Sequence, residues 1–186
     1  MTEEIEKTLA QLQQGNTILY PTDTVWGLGC DATNPAAVAK IYQLKKREES
    51  KALICLVSDV HMLERFVENI PPVAYELLEA ADRPTTIIYD NPVGIAKNLV
   101  AADCTLAIRI PANDFCQQLI RRFKRPIVST SANISGQPTP KSYQEISQEI
   151  LKGVDYVVNL QDENKVSKPS TIIQLRSNGE IKIIRE

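Results

Sequence analysis

The sequence predicts an α/β protein, a mixed sheet covered by helices, and three observations carry that prediction. Amphipathic stretches with helical spacing alternate with short apolar runs along most of the chain. One run, Ala52 to Val57, is continuously apolar, as expected of a strand buried on both faces. Near the end, Ser170 to Leu175 and Glu180 to Ile184 flank Ser177-Asn178-Gly179, a hairpin turn signal.

The remaining elements follow in order. Thr2 to Gln14 places Ile5, Leu9 and Leu12 at helical spacing, with Gly15 as the stop. Thr17 to Tyr20 is a first strand that should end at Pro21, which has no N–H for a ladder. Asn34-Pro35 starts a helix over Ala36 to Arg47, with Asn as cap and Pro at the first helical position. Ser58-Asp59 caps a short helix to about Asn69, and Pro71-Pro72 opens another that ends near Asp82. Thr85 to Tyr89 and Thr105 to Ile110 are strands, Asn113 to Lys124 a helix, and Ile127 to Thr130 a strand. Ser142 with Glu145 three residues on forms a capping box for a further helix, and Tyr156 to Asn159 is a strand. Asp162 to Lys168 is the expected mobile loop. No repeat or linker divides the chain, so 1–186 is expected to be one domain.

Composition narrows the function classes. Hydrophobic content of 43% and charged content of 24% are those of an ordinary globular protein. The net charge of -2 gives no global support for nucleic-acid binding, although local basic patches remain open. Cys30, Cys55, Cys104 and Cys116 form no C-x-x-C pair and read as reduced, mostly buried thiols. The acidic amphipathic start is no signal peptide, and no apolar run approaches a membrane span, so a cytoplasmic location is expected.

Five places could carry chemistry. The stretch Tyr20-Pro21-Thr22-Asp23-Thr24-Val25-Trp26-Gly27-Leu28-Gly29-Cys30-Asp31-Ala32 combines hydroxyls, an aspartate and glycines. It suits a loop over a ligand, or equally a glycine-rich turn around a core Trp. Its G-x-G-x-x-A pattern is no dinucleotide fingerprint: Pro21 to Trp26 separate it from the strand end, and Asn34-Pro35 starts the helix too late. Pro126 to Pro140 sets Ser129, Thr130, Ser131, Asn133 and Ser135 beyond a strand's carboxyl end, either as ligand donors or as ordinary turn residues. Arg109 lies in an apolar run, where its charge needs a carboxylate partner or a ligand anion. Lys45, Arg47 and Lys51 lie near the next strand's mouth, although basic residues at a helix end are also explained by its dipole. Ser170, Thr171 and Arg185 sit in the terminal hairpin. The sequence has no P-loop, and the single His61 leaves little for a triad or a histidine metal site.

Taken in this order, YPTDTVWGLGCDA, LKKREESKALICLVSD, TLAIRIP, PIVSTSANISGQPTP and PSTIIQL resemble the YrdC-like family of threonylcarbamoyl-AMP synthases, in its short form without the extra C-terminal domain. The resemblance spans residue 20 to about 185. It implies a twisted α/β sheet with a positively charged cleft. The implied reaction condenses L-threonine, bicarbonate and ATP into threonylcarbamoyl-AMP and pyrophosphate, for modification of tRNA through partner proteins. By position, Thr24, Arg109, Ser129 and Ser170 would meet threonine, and Arg47, Lys51, Thr105, Ser131, Thr139 and Arg185 would meet ATP. Mg²⁺ is expected with ATP, without an assigned protein ligand, and no residue is assigned as acid or base. Three positions depart from the family pattern. Asp82-Arg83-Pro84-Thr85 lacks a glycine before the strand, Ala52 replaces a proline, and Leu56 stands where some members carry histidine.

The alternative is a non-catalytic module of the same fold that binds double-stranded RNA or tRNA. Lys40 to Lys51 and the cluster Arg121, Arg122, Lys124 and Arg125 support it, whereas the net charge and the 5% aromatic content oppose it.

Overall fold

A computed structural model describes residues 1–48, 53–160 and 169–186. The architecture is the expected one. Among the described residues nine strands form one mixed sheet: β1 (Ile18–Pro21), β2 (Trp26–Gly29), β3 (Ile54–Leu56), β4 (Thr85–Asp90), β5 (Thr105–Arg109), β6 (Ile127–Ser131), β7 (Tyr156–Val157), β8 (Thr171–Leu175) and β9 (Ile181–Arg185). Their spatial order is β7-β1-β2-β6-β3-β5-β4-β8-β9, with parallel pairs at β1/β7, β3/β5 and β4/β8.

The helices start where side chains satisfy free N–H groups. In α2 (Pro35–Lys45), Asn34 Oδ1 accepts from Ala36 N and Ala37 N at 3.0 and 3.3 Å. Asp59 caps α3 (Val60–Phe66) and Asn113 caps α5 (Asp114–Phe123), with donors at 2.9 and 3.0 Å. Proline opens α4 (Pro72–Glu79). Helix α1 (Thr2–Gln13) packs on α5, and α2 packs on α6 (Gln148–Gly153), where Leu44 lies against Gly153.

Two expectations need correction. The first strand ends at Pro21 as expected, but the stretch beyond it is not all loop. Pro21 is the last residue of β1, opposite Trp26, because the presumed ligand loop folds back as a second strand. Gly27-Leu28-Gly29 is therefore extended backbone inside a hairpin, which also removes any dinucleotide turn. The Ser142 helix is a single 3₁₀ turn, Tyr143–Glu145, with no side-chain cap from Ser142. Glu145 instead accepts from Lys141 N at 2.8 Å, and Ser147 starts the true helix α6. The expected loop 162–168 lies outside the described residues.

Residues paired across strands share a face of the sheet. One face carries Cys55, Ile87, Tyr89, Leu106, Ile108, Val128, Ile173 and Leu175, all buried. The other carries the register row Leu56, Arg109, Thr86 and Ile172, and the row Ser129, Ile54, Ala107, Ile88 and Gln174. Ile54, Ala107, Ile88, Ile172 and Gln174 there are only half-buried. The sheet thus has one apolar core face and one face on which polar side chains are interspersed.

Candidate functional site

The polar face gathers most of the residues singled out from sequence. Ser129 and Ser131 alternate along β6 and so point to one side, and Gly27 lies opposite Ser131. Thr105 and Arg109 lie on the same side of β5, since Thr105 pairs with Asp90 and Arg109 with Thr86. β6 runs antiparallel to β3, which is parallel to β5, so Ser131 and Thr105 mark one end of the face and Arg109 the other. At the far edge Arg185 lies opposite Ile172, across an irregularity in the β8/β9 ladder.

Arg109 is the centre of this arrangement. Its side chain is 4% exposed, and Nη2 lies 3.1 Å from Asp23 Oδ1. The same Nη2 donates to Thr24 Oγ1 at 3.4 Å. The β1–β2 turn is shaped for this contact: Thr22 Oγ1 accepts from Thr24 N at 3.1 Å and donates to Val25 O at 2.7 Å. Asp23 Oδ2 accepts from Ala112 N at 3.2 Å, which ties the turn to the segment beyond β5. Arg109 therefore meets an internal carboxylate, yet incompletely. Arg109 Nε is buried without a hydrogen-bond partner among the described residues, and so is Asp23 Oδ1.

Hydroxyls lie beside Arg109 in the same row. Thr86, its register partner, donates to Ser170 Oγ at 3.0 Å, and both are buried. Arg185 grips Ser170 O through Nε and Nη2 at 3.1 and 2.8 Å. Ser170 and Arg185 are thereby fastened together beside the Arg109 row.

A second constellation lies around Ser131. Lys45, at the end of α2, is 2% exposed and donates from Nζ to Ser131 O at 2.6 Å and Asn133 O at 2.7 Å. Its own carbonyl accepts from Ser135 N at 2.8 Å. Burial, with the nearby Arg47 guanidinium, lowers the Lys45 pKa to about 8. Arg47 is thus placed near the same loop. Of the two readings open for Lys45, a solvated helix end and a place near the strand mouth, its burial excludes the first. Its spacing of seven from Val38 and four from Ile41 already puts it on the buried face of α2.

Other expected residues are less closely joined. Thr105 donates to Asp103 Oδ1 at 2.6 Å. Thr139 is exposed in the segment 136–139, apart from these contacts. Lys51 and Ala52 lie outside the described residues. The two glycines of the hairpin serve packing: a Cβ on Gly29 would stand 2.6 Å from Val128 O and 2.7 Å from Tyr20 Cε1. Tyr20, whose hydroxyl donates to Val128 O at 3.1 Å, fills that space, and burial pushes its phenol pKa well up. Burial likewise raises Cys116, whose thiol donates to Pro21 O at 3.3 Å.

A cavity of about 550 Å³ reaches Asp23. Tyr75, Leu78, Arg83, Thr85, Ile110 and Ala112 also line it. The departure at Arg83 therefore lies on its wall. Among the described residues no group of three His, Cys, Asp or Glu side chains could hold a metal ion.

Several residues of the basic segments are ion-paired among the described residues. Arg121 pairs with Asp59, Arg122 with Glu6, Arg125 with Asp31, Lys40 with Asp155 and Lys46 with Glu149. Among the described residues no helix is long and apolar enough to cross a membrane.

A family model described as "Telomere recombination", covering Sua5, YciO and YrdC proteins, matches residues 10–186. The chain belongs to the Sua5/YciO/YrdC family. It is 36% identical to a putative threonylcarbamoyl-AMP synthase of Methanocaldococcus jannaschii, over 97% of this chain and 86% of that protein. It is 31% identical to the threonylcarbamoyl-AMP synthase of Xanthomonas euvesicatoria pv. vesicatoria, over 95% of each. The fold superposes on P. abyssi Sua5 complexed with L-threonine with a TM-score of 0.85 at 28% identity, over 92% of this chain. The match spans half of that longer Sua5 chain. E. coli YciO shares the fold, with a TM-score of 0.84 at 22% identity.

Proposed function

We propose that this Sua5/YciO/YrdC protein is a threonylcarbamoyl-AMP synthase, condensing L-threonine, bicarbonate and ATP and releasing pyrophosphate. The observation that carries the reading is the buried Arg109, half-satisfied by Asp23 and Thr24, with an open Nε donor amid hydroxyls. A planar guanidinium with a spare donor in a dry setting suits a carboxylate ligand. Thr24, Arg109, Ser129 and Ser170 form the threonine side of the proposal. Arg47, Lys51, Thr105, Ser131, Thr139 and Arg185 form the ATP side, and the whole of 1–186 acts as one YrdC-like domain.

The chemistry needs two anions brought together. A threonine carbamate attacks the α-phosphorus of ATP, its O–P bond forms, and the bond to pyrophosphate breaks. Positioning and charge neutralisation supply most of what such a transfer requires. Arg109 neutralises the carboxylate, and the Lys45-held loop presents Ser131 to the nucleotide. When bound, Mg²⁺ would offset phosphate charge, held chiefly by the phosphates themselves. Transfer of the product to tRNA by partner proteins, and a cytoplasmic location, belong to the same proposal.

The test is pyrophosphate release from ATP with threonine and bicarbonate omitted in turn. Release that needs both is the expected result. Release independent of threonine would overturn the reading, as would no release accompanied by salt-sensitive binding of double-stranded RNA or tRNA.

A further inference from the structure

Two buried polar atoms at the candidate site lack hydrogen-bond partners among the described residues, and they lie on neighbouring side chains. Arg109 Nε is a cationic donor, and Asp23 Oδ1 is an anionic acceptor. The closest approach of the two groups, 3.1 Å between Arg109 Nη2 and Asp23 Oδ1, supplies charge pairing but no hydrogen bond to that oxygen. A buried carboxylate oxygen and a buried guanidinium N–H left open carry a cost that a fully internal ion pair would avoid. An α-amino acid zwitterion offers the complement, a carboxylate acceptor and an ammonium donor on adjacent atoms. A cavity borders the pair on the Asp23 side, with Ile110 and Ala112 beyond Arg109 on its wall. Asp23 is kept in place independently of Arg109, because its other oxygen accepts from Ala112 N at 3.2 Å.

We propose that Asp23 is a substrate-recognition residue that accepts a hydrogen bond from the α-amino group of threonine while Arg109 holds its carboxylate. This rests on the threonine-site reading above and adds to it the residue that fixes the reacting nitrogen. Holding that nitrogen in one orientation sets the direction from which bicarbonate carbon must approach it. It also selects the amino acid over the analogue that lacks the α-amino group, since a buried carboxylate oxygen left unpaired rejects a ligand with no donor at that position.

The test compares L-threonine with (R)-3-hydroxybutyrate, which keeps the carboxylate and hydroxyl but lacks the amine, by calorimetric titration of the full chain and of Asp23→Asn. The wild type should prefer L-threonine by at least about tenfold, the scale of one charge-assisted hydrogen bond. In Asp23→Asn that preference should shrink to within about threefold. Equal weakening of both ligands would mean that Asp23 only positions Arg109, and the inference falls. It falls too if the wild type binds both ligands alike, although the threonine-site reading then stands. Binding of neither ligand by the wild type would overturn that reading and the inference together. Should Asp23→Asn fail to fold, Asp23→Glu keeps the charge beside Arg109 while moving the oxygen. It should weaken L-threonine at least about fivefold and leave (R)-3-hydroxybutyrate unchanged, and equal effects on both would contradict the proposal.

Discussion

Arg109 and Lys45 are both buried cations, 4% and 2% exposed, yet their surroundings differ in kind. Lys45 meets two backbone carbonyls at 2.6 and 2.7 Å, and these contacts tie α2 to the Ser131–Ser135 segment. Arg109 meets a carboxylate and a hydroxyl and still has an open donor. Satisfied buried polar groups hold a structure together, whereas a group left partly open at a cleft is a candidate for ligand contact. We therefore assign Lys45 to holding the site and Arg109 to binding within it.

Substitutions break this comparison in different ways. The largest effect is expected for Arg109→Ala, which removes the carboxylate clamp and leaves Asp23 buried without its cation. The KM for threonine should rise at least about a hundredfold, and stability should fall by about 3–5 kcal/mol. Steady-state kinetics and thermal unfolding check both; an unchanged KM would remove Arg109 from the site. Gly29→Ala follows, because its Cβ would meet backbone at Val128 O and the Tyr20 ring. It should cost about 1–3 kcal/mol by denaturant titration, with kinetics altered only through the population folded.

The pH dependence of Lys45 is smaller and has a definite sign. Its folded pKa of about 8 lies below the ordinary lysine value of 10.5, so above pH 8 the unfolded chain binds more protons than the native one. This group's contribution to stability should therefore rise with pH between about 8 and 10.5, and Lys45→Met should abolish that rise in unfolding curves taken across the window. Least should come from Arg121→Ala and Arg122→Ala, whose exposed ion pairs are worth at most about 1 kcal/mol each. Equilibrium unfolding would register them, and pyrophosphate release should not change.

The two cations also mark how far the sequence could be read. Arg109 was visible because an arginine inside Thr105-Leu106-Ala107-Ile108-Arg109-Ile110 breaks an apolar pattern. Lys45 was obscured because Lys45-Lys46-Arg47 also fits a solvated helix end, and only its spacing from Val38 and Ile41 separates it from its neighbours. The α/β alternation and the terminal hairpin were legible from periodicity and turn residues. Strand β2 was not, since a four-residue strand with two glycines has the local chemistry of a turn until Tyr20 is seen filling the space above them. The Ser142 capping box failed for a related reason: Glu145 finds Lys141 N, and the turn Tyr143–Glu145 has no buried residue to extend it into α-helix before Ser147 caps α6. Asp23 was noted in its loop, but its partner lies 86 residues away in sequence and no local pattern encodes the pairing.

The most direct test places Arg109→Lys and Lys45→Met side by side, measuring L-threonine affinity and thermal unfolding on each. Lysine at 109 keeps a charge for Asp23 but removes the planar fork. Arg109→Lys should weaken threonine by at least about tenfold with a modest loss of stability, and Lys45→Met should cost about 1–3 kcal/mol of stability with threonine affinity nearly unchanged. The reverse pattern, or the same pattern in both variants, would contradict the division between a binding cation and a holding one.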